Sequence, residues 1–243
     1  MRIGEAEPAP RAAAPAPGAP PAPSPRARRR WPLQAAAIAA GLLPAAKIGW
    51  DALSGGLGAN PIQAVLDRLG FWTLTFLALS LVPTPAHDLL GLSWPVRVRR
   101  MVGLFAFACA TLHLAWYVGV DQFFDLRVLA RDVAKRKFMV VGFSAWLLLV
   151  PLAVTSTDRW VRRLGFARWK RLHRLVYAAA LLGVVHFVWR VKADLRRPSI
   201  FAVAIGALLL ARAVPWTARR AVRARHGGPA VGETSVRPER RGA

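Results

Sequence analysis

Cysteine is almost missing from this chain, and acidic residues are scarce. The single Cys109 among 243 residues excludes an intramolecular disulfide and any multi-cysteine metal or iron–sulfur site. Set in "LFAFACATLH", it reads as a small packing residue. Only 12 Asp and Glu oppose 35 Lys and Arg, for a net charge of +23. Such a surplus is the usual footprint of a nucleic-acid partner. Here the cations stand at the ends of apolar blocks instead of forming one basic face, which argues against nucleic acid and for membrane topology. Strand-like alternation and internal repeats are also lacking. The glycines of "SGGLGANP" at 54–61 have neither the Lys-Ser/Thr ending nor the soluble helix of a phosphate loop, so the stretch is a loop.

What is present is apolar and blocked. With 55% hydrophobic and 19% charged residues, the chain falls into six apolar runs at about 32–50, 69–87, 101–120, 138–155, 173–190 and 199–216. Runs of about 20 residues match a bilayer core of roughly 30 Å. The expectation is an all-α, polytopic membrane helix bundle of about six transmembrane helices. The first run is the weakest, with Pro44 and Lys47 inside it, and the second is expected to stop at the two prolines of "VPTPAHD". Residues 1–30 are Pro/Ala-rich and cannot bury a core, so they read as a disordered extension. Residues 31–216 form the membrane domain, and 217–243 a disordered basic tail. "RRRW" faintly resembles a twin-arginine signal, but Pro32 and the lack of a polar cleavage region make it a basic flank to the first helix.

Lys and Arg counts orient the bundle. With the N-terminus inside, the inner segments hold 23 of the 35 Lys and Arg and the outer segments 10, which places both termini in the cytoplasm. One outer segment runs against this trend. Residues 121–137 carry Arg127, Arg131, Lys135, Arg136 and Lys137, partly offset by Asp121, Asp125 and Asp132.

Ionisable groups inside a membrane are costly and mark function, so the histidines carry the chemistry. His226 lies in the polar tail, and His87 follows the prolines at an inner membrane edge. His113 stands 13 residues beyond Arg100 and His186 stands 15 beyond Arg171, heights of roughly 20 and 22 Å at the helical rise. One histidine from each of two helices at one level suits the two axial positions of a six-coordinate haem b. Two alternatives stay open: each histidine bonding between helices, or zinc, which wants more ligands than this level offers. His173 precedes His186 by 13 residues, a turn of roughly 220° on a straight helix, so the two do not share a face. A second haem at the inner level lacks an obvious partner histidine, His87 being the only other candidate. His173 is therefore a candidate for a second haem, a propionate contact or a flavin site. Arg100, Arg168, Lys170 and Arg171 are weaker candidates for contact with an anionic cofactor.

The combination of "GGLGANP", "RRMVGLFAFACATLHLAWY", "LAVTSTD" and "RWKRLHRLVYAAALLGVVHFVWRVK" closely resembles the MsrQ (YedZ) family, within the wider ferric-reductase-like transmembrane domains. The resemblance spans about residues 33–216. It implies a haem-binding membrane subunit of a bacterial inner-membrane system that repairs oxidised methionine in periplasmic proteins. Electrons would come from a cytoplasmic flavin reductase or the quinone pool and pass through haem b, one or two per chain. They would reach a periplasmic molybdopterin subunit, MsrP. FMN is a further cofactor the resemblance implies. The family's three membrane histidines fall on His113, His173 and His186, the first and last as axial ligands.

The expected role is thus electron transfer with no substrate chemistry of its own. The 27 residues after Trp216 are too few for a nucleotide-binding reductase domain, so the donor is expected to be separate. A stand-alone quinol-oxidising or ferric-reducing cytochrome b is the alternative within the same chemistry. A transporter or a structural anchor with buried histidines is the rival from another class.

Overall fold

Ten α-helices run through residues 31–191 and 194–213, the residues that the computed structural model describes, and no strand occurs among them. They are α1 (Trp31–Leu53), α2 (Pro61–Leu81), α3 (Pro83–Leu90), α4 (Trp94–Trp116), α5 (Leu126–Lys135), α6 (Lys137–Val154), α7 (Asp158–Leu164), α8 (Phe166–Leu172), α9 (Leu175–Arg190) and α10 (Arg196–Ala213). The extension 1–30, the tail 217–243 and His226 lie outside the described residues. Five stretches, from Pro32–Leu53 to Phe166–Arg190, are long and apolar enough to cross a membrane. The sixth expected run is helical as α10, but Arg196, Arg197 and Arg212 fall within its 18 residues. The molecule is a polytopic membrane helix bundle. Below, its distal end is where α2 and α6 begin and α4 and α9 finish; α3, α7 and α8 lie at the proximal end.

Charges inside the apolar runs are paired locally, which lets the second run begin earlier than expected. Asn60 caps α2 by accepting the Gln63 N–H at 3.1 Å, and Pro61 occupies the first turn, where its missing N–H costs nothing. α2 therefore starts at Pro61, not near 69. Its charged first half is accommodated because Arg68 pairs with Asp51 and Arg190 with Asp67. Asp51 is only 6% exposed. Lys47 reaches it at 2.6 Å one turn away, which explains how α1 carries a lysine within an apolar run.

The prolines of "VPTPAHD" kink the second span and do not end it. α2 stops at Leu81, and α3 opens at once on Pro83. Pro83 lacks an N–H for Leu79 O, which instead accepts from Val82 N at 3.2 Å. Pro85 lacks the donor that would serve Leu81 O. Arg212 from the end of α10 supplies it, donating from Nη2 to Leu81 O at 2.7 Å and to Thr84 Oγ1 at 3.0 Å. Its guanidinium also bonds the Tyr177 hydroxyl and lies over that ring, 5.1 Å from the centroid.

The fifth run is not one straight helix either. His173 ends α8, and a tightened turn (Arg174 N to Arg171 O, 3.1 Å; Tyr177 N to Arg174 O, 3.0 Å) leads into α9. The rotation expected for an unbroken helix between His173 and His186 therefore does not apply. At the distal end α4 closes in a π-turn, Tyr117–Asp121. Residues 121–137, expected as a connecting loop, contain α5. Asp125 caps that helix, accepting from Arg127 N at 2.9 Å and Val128 N at 3.1 Å.

Small side chains set the packing. α2 lies along α4, and α6 along α9. Ala106, Cys109, Ala110, Ala179 and Ala180 are buried between them beside Leu74, Leu77, Leu81 and Leu149. Where lipid tails are as apolar as leucine, close approach through small residues is what drives helices together. Large apolar side chains such as Leu43, Trp50, Val203 and Leu210 face outward, as lipid contact requires.

Replacing Arg212 with alanine should lower stability by about 1–3 kcal/mol, the cost of an unpaired buried carbonyl at Leu81. Pro85→Ala restores an N–H four residues after Leu81, so the double variant should recover part of that loss. Thermal unfolding in detergent measures both. Equal melting of the single and double variants would remove the carbonyl-donor account.

Candidate functional site: a two-histidine cavity and an inner basic cavity

Each distal histidine is seated by the same local device. The His113 imidazole, from α4, bonds through Nδ1 to Leu66 O on α2 at 3.0 Å. The His186 imidazole, from α9, bonds through Nδ1 to Phe138 O on α6 at 2.7 Å. A carbonyl oxygen only accepts, so Nδ1 carries the proton on both rings and Nε2 keeps its lone pair. Four residues after each acceptor stands a glycine. A Cβ at Gly70 would lie 3.4 Å from His113 Cε1, and one at Gly142 would lie 2.5 Å from His186 Nδ1 and 2.7 Å from its Cε1. The His186 imidazole occupies the volume that a side chain at Gly142 would need, whereas at Gly70 an added Cβ would meet His113 at ordinary contact distance.

The structure brings these two histidines together. Their ring centroids are 6.3 Å apart, with planes 89° to one another. Both line a cavity of about 500 Å³, within the range for a bound organic cofactor. Its deep wall is apolar, with Leu74, Leu77, Phe143, Trp146 and Leu149, while Arg136, Arg190 and Asp67 stand on its lining. Trp146 is held by its indole N–H on Thr111 Oγ1 at 3.0 Å. Leu129 and Val133 of α5 also line it. Tyr117 ties this helix down by donating to Asp132 Oδ2 at 3.0 Å.

His173 belongs to a second cavity, of about 780 Å³, at the proximal end. Its Nδ1 bonds Trp169 O at 3.1 Å, and the Trp169 ring lies against it with centroids 4.0 Å apart. Its Nε2 is buried without a hydrogen-bond partner. Around it the cavity is basic: Arg99, Arg100, Lys170, Arg174 and Arg212 line it, with Asp88 as the acidic residue. Of the four weaker candidates, Arg100 and Lys170 reach this cavity. Arg168 and Arg171 are exposed on α8 and are not part of its lining. Arg100 also donates to Asp158 Oδ1 at 2.6 Å, and its guanidinium holds that carboxyl below the usual carboxylate range. His87 is exposed on α3 and does not line the cavity. Leu77 and Leu149 line both cavities and form a shared wall.

Residues 69–184 match the family described as ferric reductase like transmembrane component. The protein-methionine-sulfoxide reductase heme-binding subunit MsrQ of Rhodospirillum rubrum is 55% identical over 179 residues, covering 74% of this chain and 86% of that protein. The corresponding subunit of Caulobacter vibrioides is 49% identical over 177 residues, covering 73% and 83%. That of Deinococcus radiodurans is 49% identical over 172 residues, covering 71% and 85%. The chain belongs to the MsrQ family. Within this MsrQ fold, His113 and His173 fall inside the ferric-reductase match, while His186 lies two residues past its end.

Gly70 and Gly142 were not singled out from the sequence, although a signal existed. An isolated glycine in a helix interior costs about 1 kcal/mol relative to alanine and asks for a packing reason. Arg99, Arg174 and Arg212 were hidden among charges that topology alone explains.

Gly142→Ala should destabilise the protein by about 1–3 kcal/mol through overpacking against His186, despite a helix-propensity gain of about 1 kcal/mol. Gly206→Ala, where an added Cβ meets nothing within 4 Å, should be neutral or stabilising. Melting curves of the two variants decide; a stabilised Gly142→Ala would show that the imidazole seat is not confined.

Proposed function

We propose that this chain is a membrane electron-transfer subunit that holds haem b between His113 and His186 and serves a methionine sulfoxide reductase partner. One observation carries the reading: two half-buried imidazoles with tied Nδ1 atoms, centroids 6.3 Å apart. An imidazole nitrogen binds a transition metal at about 2 Å, so two rings on opposite sides of one ion stand about 6 Å apart, centroid to centroid. Among the described residues no group of three or more His, Cys, Asp or Glu side chains is placed to hold a metal ion. Two histidines from separate helices suit an iron whose other four positions a porphyrin fills. Haem held by His113 and His186 would supply one-electron ferric–ferrous chemistry.

The chain's own residues provide the rest. The carbonyls of Leu66 and Phe138 fix the tautomer and raise the basicity of each ligand. The apolar wall excludes water, and Arg136 and Arg190 offer cations to the carboxylates of a porphyrin. The names of the relatives, a heme-binding subunit of a methionine sulfoxide reductase, support a partnership with a catalytic subunit. We read that partner as a periplasmic molybdopterin enzyme of the MsrP type. The donor is read as a cytoplasmic flavin reductase or the quinone pool, with the chain in a bacterial inner membrane and both termini cytoplasmic.

A second cofactor in the inner cavity is favoured by the unpartnered Nε2 of His173 among five cationic residues. An anionic group, a second haem or FMN, fits that chemistry.

Protein purified in detergent should show a Soret band and visible bands that sharpen on reduction. His113→Ala and His186→Ala should each remove the haem of the distal cavity, lowering haem per chain by one, and full haem retention by both would refute the ligand pair. Haem and flavin per chain, measured in wild type and His173→Ala, assign the inner cavity. Loss of haem makes His173 a ligand, loss of flavin alone makes it a flavin contact, and unchanged pigment leaves it structural.

A further inference from the structure

The segment Phe123–Lys137 places five cations, Arg127, Arg131, Lys135, Arg136 and Lys137, at the end of the bundle where topology predicts few. Its acidic residues are turned to local use. Asp125 spends its carboxylate on the N-terminus of α5, and Asp132 is drawn to the Tyr117 hydroxyl and to Arg136 at 3.5 Å. Arg127, Arg131, Lys135 and Lys137 are exposed, and none of the ion pairs among the described residues involves them. The other side of the same helix carries Leu129 and Val133, which line the two-histidine cavity. Just before α5, Phe123 and Phe124 hold left-handed backbone, φ 48° and 57°, with side chains 77% and 72% exposed. Such backbone is uncommon for bulky residues and persists where the surrounding structure enforces it.

We propose that this basic face of α5, flanked by Phe123 and Phe124, is the docking surface for an acidic patch on the methionine sulfoxide reductase subunit. The proposal rests on the electron-transfer reading above. In α5, Leu129 and Val133 line the cavity, while Leu126 and Val128 are exposed beside the cations and, with Phe123 and Phe124, form a mixed basic and apolar face. Like-signed charge on one partner steers an opposite surface and sets its orientation. Exposed aromatics beside the cations provide the apolar anchors that interfaces favour. A partner seated here stands directly over the cavity that holds His113 and His186.

The test uses the full-length, pigment-loaded protein in nanodiscs of neutral phosphatidylcholine, with the purified reductase subunit as probe. Binding is followed by interferometry at about 0.05 M and about 0.5 M salt, which brackets the change in screening length. The triple variant Arg127→Gln, Arg131→Gln, Lys135→Gln keeps good helix formers at exposed positions, and its visible spectrum should be unchanged. Affinity at low salt should fall about tenfold or more, and the difference from wild type should close at high salt. A control at the opposite end, Arg159→Gln, should bind like wild type. Equal affinity of wild type and triple variant, with pigment intact, overturns the docking face. Equal affinity, together with loss of phosphatidylglycerol association measured in mixed nanodiscs, reassigns the face to anionic lipid and also overturns it. Wild-type protein without a Soret band instead refutes the haem reading, whatever the binding result.

Discussion

A ring N–H bonded to the carbonyl of a neighbouring helix, made twice, is the contact on which the distal end of this bundle depends. Leu66 O holds His113 and Phe138 O holds His186. Each bond commits a proton to Nδ1 and frees Nε2, so one contact sets both the position and the chemical state of an imidazole. It also joins helices in pairs, α4 to α2 and α9 to α6, which are the pairs packed most extensively along their lengths. The absence of a side chain at Gly142 is what lets the His186 ring come so close to a helix backbone, and the local loss in helix propensity is offset by that seat.

The proximal end follows a different logic. There the helices are interrupted, at Leu81–Pro83 and at His173–Arg174. Interrupted helices free backbone groups that apolar surroundings cannot satisfy, and the chain answers with arginine. Arg212 serves the carbonyl that Pro85 leaves without a donor, and in doing so contributes a cation to the inner cavity. The basic character of that cavity is thus partly a by-product of mending the kink. Leu77 and Leu149 separate it from the two-histidine cavity.

Between these ends the bundle is held by small buried residues and leucines, and its outward faces are apolar. The membrane supplies no hydrophobic drive for helices to associate, so shape and a few polar contacts must do so. The Asp51 cluster with Lys47 and Arg68 is one such contact; it ties α1 to α2 by sharing one carboxylate between two cations. Family membership agrees with this division, since the ferric-reductase match covers α4, α6 and most of α2 and α9 but leaves out α1 and α10.

Much of this was legible in the linear chain. Apolar run length implied membrane helices, and the fixed rise per residue turned position into height, which put His113 and His186 at one level before any contact was known. The same reasoning could not see azimuth, because the direction in which a ring points depends on kinks and on the neighbours against which a helix turns. Hence Pro83 and Pro85 signal a stop in the sequence where the chain opens a second helix, and the apolar pattern implies a straight helix through His173 that in fact breaks beside it. α5 escaped notice because its apolar spacing spans only ten residues among charges. The sequence by itself determined the class of fold, the long apolar helices and the shared level of His113 and His186, all properties of local repeat and solvent transfer. Tertiary structure alone decided that two imidazoles line one cavity, that Gly142 makes room for one of them and that the third lies among arginines elsewhere, because those are relations between helices.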